Sequence, residues 1–130
     1  MYALGYSGAQ GTASCNDGAG TSVFIGGTSC NNTDITPAGS GEVFITGVMA
    51  ANAAVTAFSL TDSFVIEDSN LTVVYRGAAA DFVNTGVGAL GPTWTATGNG
   101  GMGVACVLQP FKPGAGAAPV PQRTLMGVGL

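Results

Sequence analysis

Apolar and polar residues alternate with a period of two along most of this chain, the pattern of half-buried β-strands and not of helices. The alternation predicts strands over residues 2–6, 21–25, 29–35, 42–49, 55–60, 64–67, 71–76, 82–84, 93–97 and 102–111. Val43, Ile45, Val48 and Met49 make the most apolar segment and read as a central strand. In Thr93-Trp94-Thr95-Ala96-Thr97 the tryptophan points inward and the threonines face solvent or a partner. In the run 71–76, Val73 and Tyr75 share one face, with Thr72, Val74 and Arg76 on the other. Turn signals separate the runs: Asn16-Asp17-Gly18, Gly26-Gly27, residues 37–41, Asp68-Ser69-Asn70, Gly91-Pro92 and Asn99-Gly100-Gly101. The last predicts a tight hairpin joining the Trp94 strand to the Val104 strand, since Asn-Gly accepts positive φ at low cost. Residues 48–55 alone tolerate a helix, and the stretch is short. Short strands between Gly/Pro turns argue for an all-β protein, an antiparallel β-sandwich.

From Lys112 onward the character changes. Residues 113–121 are built of Pro, Gly, Ala and Val, which cannot form a helix or an interior strand: proline removes donors and glycine adds backbone entropy. The end turns apolar again at Leu125-Met126-Gly127-Val128-Gly129-Leu130. The expectation is a sandwich body over residues 1–112 and an extended C-terminal arm over 113–130. Pro119, Pro121, Leu125, Met126, Val128 and Leu130 would seat that arm on the body or on a neighbouring subunit.

Charge sharpens the picture. Only 8% of residues are charged, against about a quarter in an average soluble domain, while 22 of 130 are glycine. Few like charges hold copies apart, so the chain reads as a component whose surfaces meet other subunits, or as an extracellular module. The net charge is −4 and the only cations are Arg76, Lys112 and Arg123. That excludes nucleic-acid binding by phosphate neutralisation and polybasic attachment to anionic lipid. No stretch is long and apolar enough to span a bilayer. The opening residues lack the basic and apolar regions of a secretion signal, which suits a protein released by lysis, as virion parts are.

Three cysteines, Cys15, Cys30 and Cys106, are present. Cys15 and Cys30 have polar neighbours, and a bridge between them would close a short loop; Cys106 lies in an apolar run and reads as a buried small hydrophobe. Free thiols are the expected state, with a Cys15–Cys30 disulfide as the alternative. Zinc does not fit three dispersed thiols without histidine, and no cofactor is expected.

Catalytic constellations are thin. Glu67 and Asp68 are adjacent, whereas a glycosidase pair must straddle a sugar. They read as turn solvation, with calcium on Glu67, Asp68 and Asn70 as the alternative. Asn16-Asp17-Gly18 reads the same way, as a turn first and a calcium loop second. Serine or cysteine nucleophiles lack a histidine base. Gly86-Val87-Gly88 and residues 98–101 share only glycine count with phosphate loops. Tyr2, Tyr6, Tyr75 and Trp94 would form a sugar-stacking platform if two were exposed together, although strand aromatics usually pack in cores. Asn31-Asn32-Thr33 and Asn70-Leu71-Thr72 match glycosylation acceptors, a frequent coincidence in a chain of this composition.

Tyr6-Ser7-Gly8, then Gly41 to Val48, then Leu71 to Arg76, and above all Thr93–Thr97 followed by Gly103 to Pro113 with its closing Phe111-Lys112-Pro113, together resemble the C-terminal part of a concanavalin A-like (laminin-G-like) jelly-roll module of phage structural or bacterial surface proteins. The resemblance covers most of residues 4 to 113. It implies a jelly-roll-like sandwich that lacks its first strands: either the sandwich is smaller, or an edge is completed by a neighbouring chain through strand addition. The family's calcium and sugar loops map to no residues here. The resulting expectation is a non-enzymatic structural subunit of a virion or similar assembly: a capsid decoration, collar or fibre protein. Its partners would be copies of itself and other structural subunits. The alternative is an extracellular or cell-surface lectin-like module that binds a surface glycan.

Overall fold

The computed structural model describes residues 5–7, 20–72, 74–86, 88–98, 103–112 and 120–122. Ten strands follow in chain order: β1 (Gly5–Ser7), β2 (Thr21–Gly26), β3 (Ser29–Asn31), β4 (Val43–Ala50), β5 (Ala57–Leu60), β6 (Val65–Asn70), β7 (Arg76–Val83), β8 (Thr93–Thr97), β9 (Gly103–Phe111) and β10 (Val120–Gln122). They form a five-stranded sheet in the order β2-β9-β4-β7-β6, a three-stranded sheet β3-β8-β5, and a two-stranded ribbon β1-β10. Every pairing is antiparallel. The five- and three-stranded sheets pack face to face as a β-sandwich, so the expected all-β class holds.

Period-two alternation decides which residues enter the core. On β4, Phe44, Thr46, Val48 and Ala50 point inward, and on β9 so do Val104, Cys106 and Leu108. The three-stranded sheet answers with Cys30, Trp94 and Ala96. Trp94 is fully buried and meets Phe58 edge-on at 6.4 Å between ring centroids. As predicted, β4 is the central strand of its sheet and β8 spans Thr93–Thr97 with Trp94 inward.

Two bonds cross between the sheets. Cys30 on β3 is joined to Cys106 on β9 by a disulfide spanning 76 residues of sequence. Beside it the Trp94 indole Nε1–H donates to Thr46 Oγ1 at 2.8 Å, and that hydroxyl donates to the Val107 carbonyl at 2.7 Å. Cys30 and Trp94 are directly opposite each other across β3 and β8, so both crossings meet at one place in the core. The alternative Cys15–Cys30 bridge is therefore corrected, as is the expectation of free thiols at Cys30 and Cys106; Cys15 lies outside the described residues. The polar neighbours of Cys30 misled because in a strand they face the other way: Asn31 is exposed while Cys30 is buried.

Two further expectations are overturned. The predicted hairpin between the Trp94 and Val104 strands does not form, because β8 and β9 belong to different sheets. Among the described strands only β6 and β7 are both consecutive and paired in one sheet. The predicted strand 71–76 does not form as such: the described residues 71, 72, 74 and 75 lie between β6 and β7, and the strand proper is Arg76–Val83. Its Gly-Ala-Ala-Ala stretch has poor β-propensity, yet it lies between β4 and β6 where small residues fit. A Cβ on Gly77 would lie 2.8 Å from the Val48 carbonyl oxygen, so that position excludes side chains. Residues 48–50, the start of the helix-tolerant stretch, finish β4 as strand.

The C-terminal segment enters the structure through β10, whose Pro121 is opposite Tyr6 of β1. A two-stranded ribbon can accept proline because each strand has one unpaired edge. Pro119, Leu125, Met126, Val128 and Leu130 lie outside the described residues.

Removing the crossing bonds should weaken the sandwich without changing its strand pattern. By loop-closure entropy the Cys30–Cys106 bond is worth about 4 kcal/mol. Cys106→Ala should lower the urea midpoint accordingly. Thr46→Val keeps the volume but strands the buried indole donor, a loss of about 2 kcal/mol in the same unfolding measurement.

A flat uncharged sheet face as the candidate functional site

With alternate residues committed to the core, the other half of each strand in the five-stranded sheet faces away from the three-stranded one. Pairing registers align these residues into rows across the sheet. One row runs Phe24, Ala105, Met49, Gly77, Asn70; the next runs Ser22, Val107, Gly47, Ala79, Asp68. A third contains Gln109, Ile45, Asp81 and Val65. Between Phe24 and Ala79 the first two rows carry no charge; their one acidic residue is Asp68 on the β6 edge, and in the third row Asp81 of β7 is buried.

The face is shallow because its middle is built of Gly47, Gly77, Ala79 and Ala105. Above that floor stand Phe24, 74% exposed, Met49, 52%, and Val107, 51%. A Cβ on Gly103 would lie 2.5 Å from Phe24 Cζ, so the phenyl ring covers the Gly103 backbone and is held flat along the sheet. Scattered exposed hydrophobes are ordinary, but a contiguous apolar patch bordered by polar residues marks a contact surface.

At the β6–β7 end the face descends into an open cleft of about 460 Å³, bordered by Met49, Asp68, Asn70, Tyr75, Arg76 and Gly77. Tyr75 is 65% exposed. The Arg76 guanidinium is turned the other way and donates to the Val55 carbonyl. Asn70 Oδ1 accepts from the Thr72 amide at 3.0 Å and the Thr72 hydroxyl at 2.9 Å, closing a local turn. A β-bulge between Ile66 and Asp68 accommodates Glu67.

The opposite end of the sandwich is tied by a polar knot. The buried Glu42 carboxylate accepts the Gly39 amide at 2.8 Å, and the Asn84 side-chain amide donates to the carbonyls of Gly39 and Gly86. These bonds fix the loops that flank β4 and β7 and hold the ends of the face in place.

The sequence-predicted residues are distributed unevenly over this arrangement. Tyr75 and Trp94 do not form a platform, because the indole is buried in the core. Tyr6 belongs to β1, and Tyr2 lies outside the described residues. Glu67, Asp68 and Asn70 do come together, but as a bulge and a turn. Among the described residues no three His, Cys, Asp or Glu side chains group as a metal site, and no helix could cross a membrane. Asp17 and its turn lie outside the described residues. The residues of the flat face were absent from the candidates read from sequence. Their signal was the off-phase half of the 103–111 run and of 21–26, where Ala105, Val107 and Phe24 occupy positions that a solvated strand would fill with polar side chains.

Comparison with family models, curated proteins and solved structures finds no match. The resemblance to concanavalin A-like modules therefore rests on its sequence motifs alone.

Because Met49 faces outward and Val48 inward, a charge at each has opposite consequences. In dilute solution Met49→Lys should leave the thermal midpoint within about 2 °C of wild type. Val48→Lys buries an unpaired ammonium and should prevent cooperative unfolding from being seen at all. Circular dichroism melts of the pair check the assignment of the two faces.

Proposed function

We propose that this protein is a non-enzymatic structural subunit of an extracellular assembly, such as a virion decoration, collar or fibre protein, and that it works by burying its flat sheet face against neighbouring subunits. The observation that carries this reading is the contiguous uncharged surface of Phe24, Ala105, Met49, Val107, Gly47 and Ala79. Contact with an apolar partner removes that area from water at about 25 cal/mol per Å², and the small-residue floor lets the partner approach the backbone closely. The buried Cys30–Cys106 disulfide supports a working place outside the reducing cytosol. Shortage of charge supports it too, because surfaces covered by neighbours need little electrostatic protection from one another.

A second reading, a lectin-like module for a surface glycan, draws on one feature: the exposed Tyr75 ring beside Asp68 and Asn70 in the cleft. An aromatic face with neighbouring planar polar groups suits a sugar ring. It calls for saturable binding on a glycan array that Tyr75→Ala abolishes.

The assembly reading is tested by light scattering of the full chain against the double variant Met49→Lys, Val107→Lys. Wild type should grow in mass with concentration, and the variant should remain a folded monomer. Equal masses at every concentration would contradict the reading.

A further inference from the structure

The sandwich leaves four sheet edges among the described residues, and three are blunted. β6 is broken by the bulge at Ile66/Asp68 and carries Glu67 and Asp68. β3 has three residues. β5 has four and is separated by one residue from Asp62 and Ser63, whose φ values are 63° and 61°. Bulges, charges and shortness are the devices by which proteins keep edges from pairing with other chains. β2 has none of them: Thr21-Ser22-Val23-Phe24-Ile25-Gly26 is six residues long, regularly paired to β9, and free of charge, proline and bulge.

We infer that β2 is the edge at which a second copy of this chain adds, antiparallel, to make one continuous ten-stranded sheet across a two-fold axis. The inference deepens the assembly reading proposed above and rests on it, by naming the first contact and its partner. A second copy fits for reasons present in the strand itself. Antiparallel pairing of an uncharged strand with itself opposes no like charges, and β2 already pairs in that sense with β9. Registers that pair Phe24 with Ser22 or with its own counterpart keep both faces in phase. Thr21, Val23 and Ile25 then continue the inner face, while Ser22 and Phe24 continue the outer one. The flat face of one copy thus runs without a break into that of the next, and the exposed Phe24 is enclosed at the centre of the joint. Such an interface is isologous: the same patch serves both partners.

Hydrogen exchange of the full wild-type chain over a concentration series, followed by light scattering on the same samples, reads this pairing directly. Dimerisation accompanied by about tenfold slower exchange of amides within residues 21–26 is the expected result. Ser22→Lys, at an exposed position on this edge, should remove both changes and leave exchange in β4 and β9 as it was. A dimer whose β2 amides exchange at an unchanged rate would overturn the edge pairing and leave the face reading standing. A chain that is monomeric throughout would overturn the pairing too. An oligomer that Met49→Lys, Val107→Lys dissociates while Ser22→Lys does not would place the contact on the face and not on the edge.

Discussion

Everything in this molecule depends on the bond set that fastens its two sheets together. Between the two sheets the packing is made by the inward-facing side chains of each. At that junction the Cys30–Cys106 disulfide and the Trp94–Thr46 hydrogen bond lie side by side. The covalent bond limits how far the unfolded chain can expand. The hydrogen bond supplies what the disulfide cannot, a directional contact that sets which residue of β4 lies beneath the indole. Thr46 serves both sheets, accepting from Trp94 and donating to Val107 on the neighbouring strand.

That junction has a consequence for the outer surface. Once Thr46, Val48, Cys106 and Leu108 are committed to the inner face, period two dictates that Gly47, Met49, Ala105 and Val107 form the outer one. Here they are apolar or small, and the shallow floor and three projecting side chains suit a flat partner. The strand order adds to this, since nearly every connection crosses between sheets and leaves the five-stranded sheet with one long, undefended edge. Face and edge are adjacent, sharing Phe24.

Much of the fold was legible because strand signals here are local. The alternation in 93–97, 21–25, 42–49 and 102–111 reports burial on one side, and those strands were found with nearly their true bounds. The failures were non-local. The apolar run 71–76 has the composition of a strand, but the chain needs a connection there. Gly77 to Ala80 has the composition of a loop, yet neighbours on both sides make it strand, and the Val48 carbonyl beside Gly77 allows no side chain. Likewise nothing in the vicinity of Cys30 names Cys106 as its partner, because their approach is set by two sheets, not by spacing. The candidate face was hidden for a related reason: a Val or Met at an off-phase position looks like core until the other face of the sheet is known.

Oxidative footprinting of Met49 in the intact protein tests the central claim most directly, because that side chain stands in the middle of the flat face. In dilute solution it should react as readily as an exposed methionine and, as the concentration rises, become protected in step with the growth in mass. A Met49 that reacts at the same rate in the associated and the dilute protein would show that the face stays in water, and the account would fail.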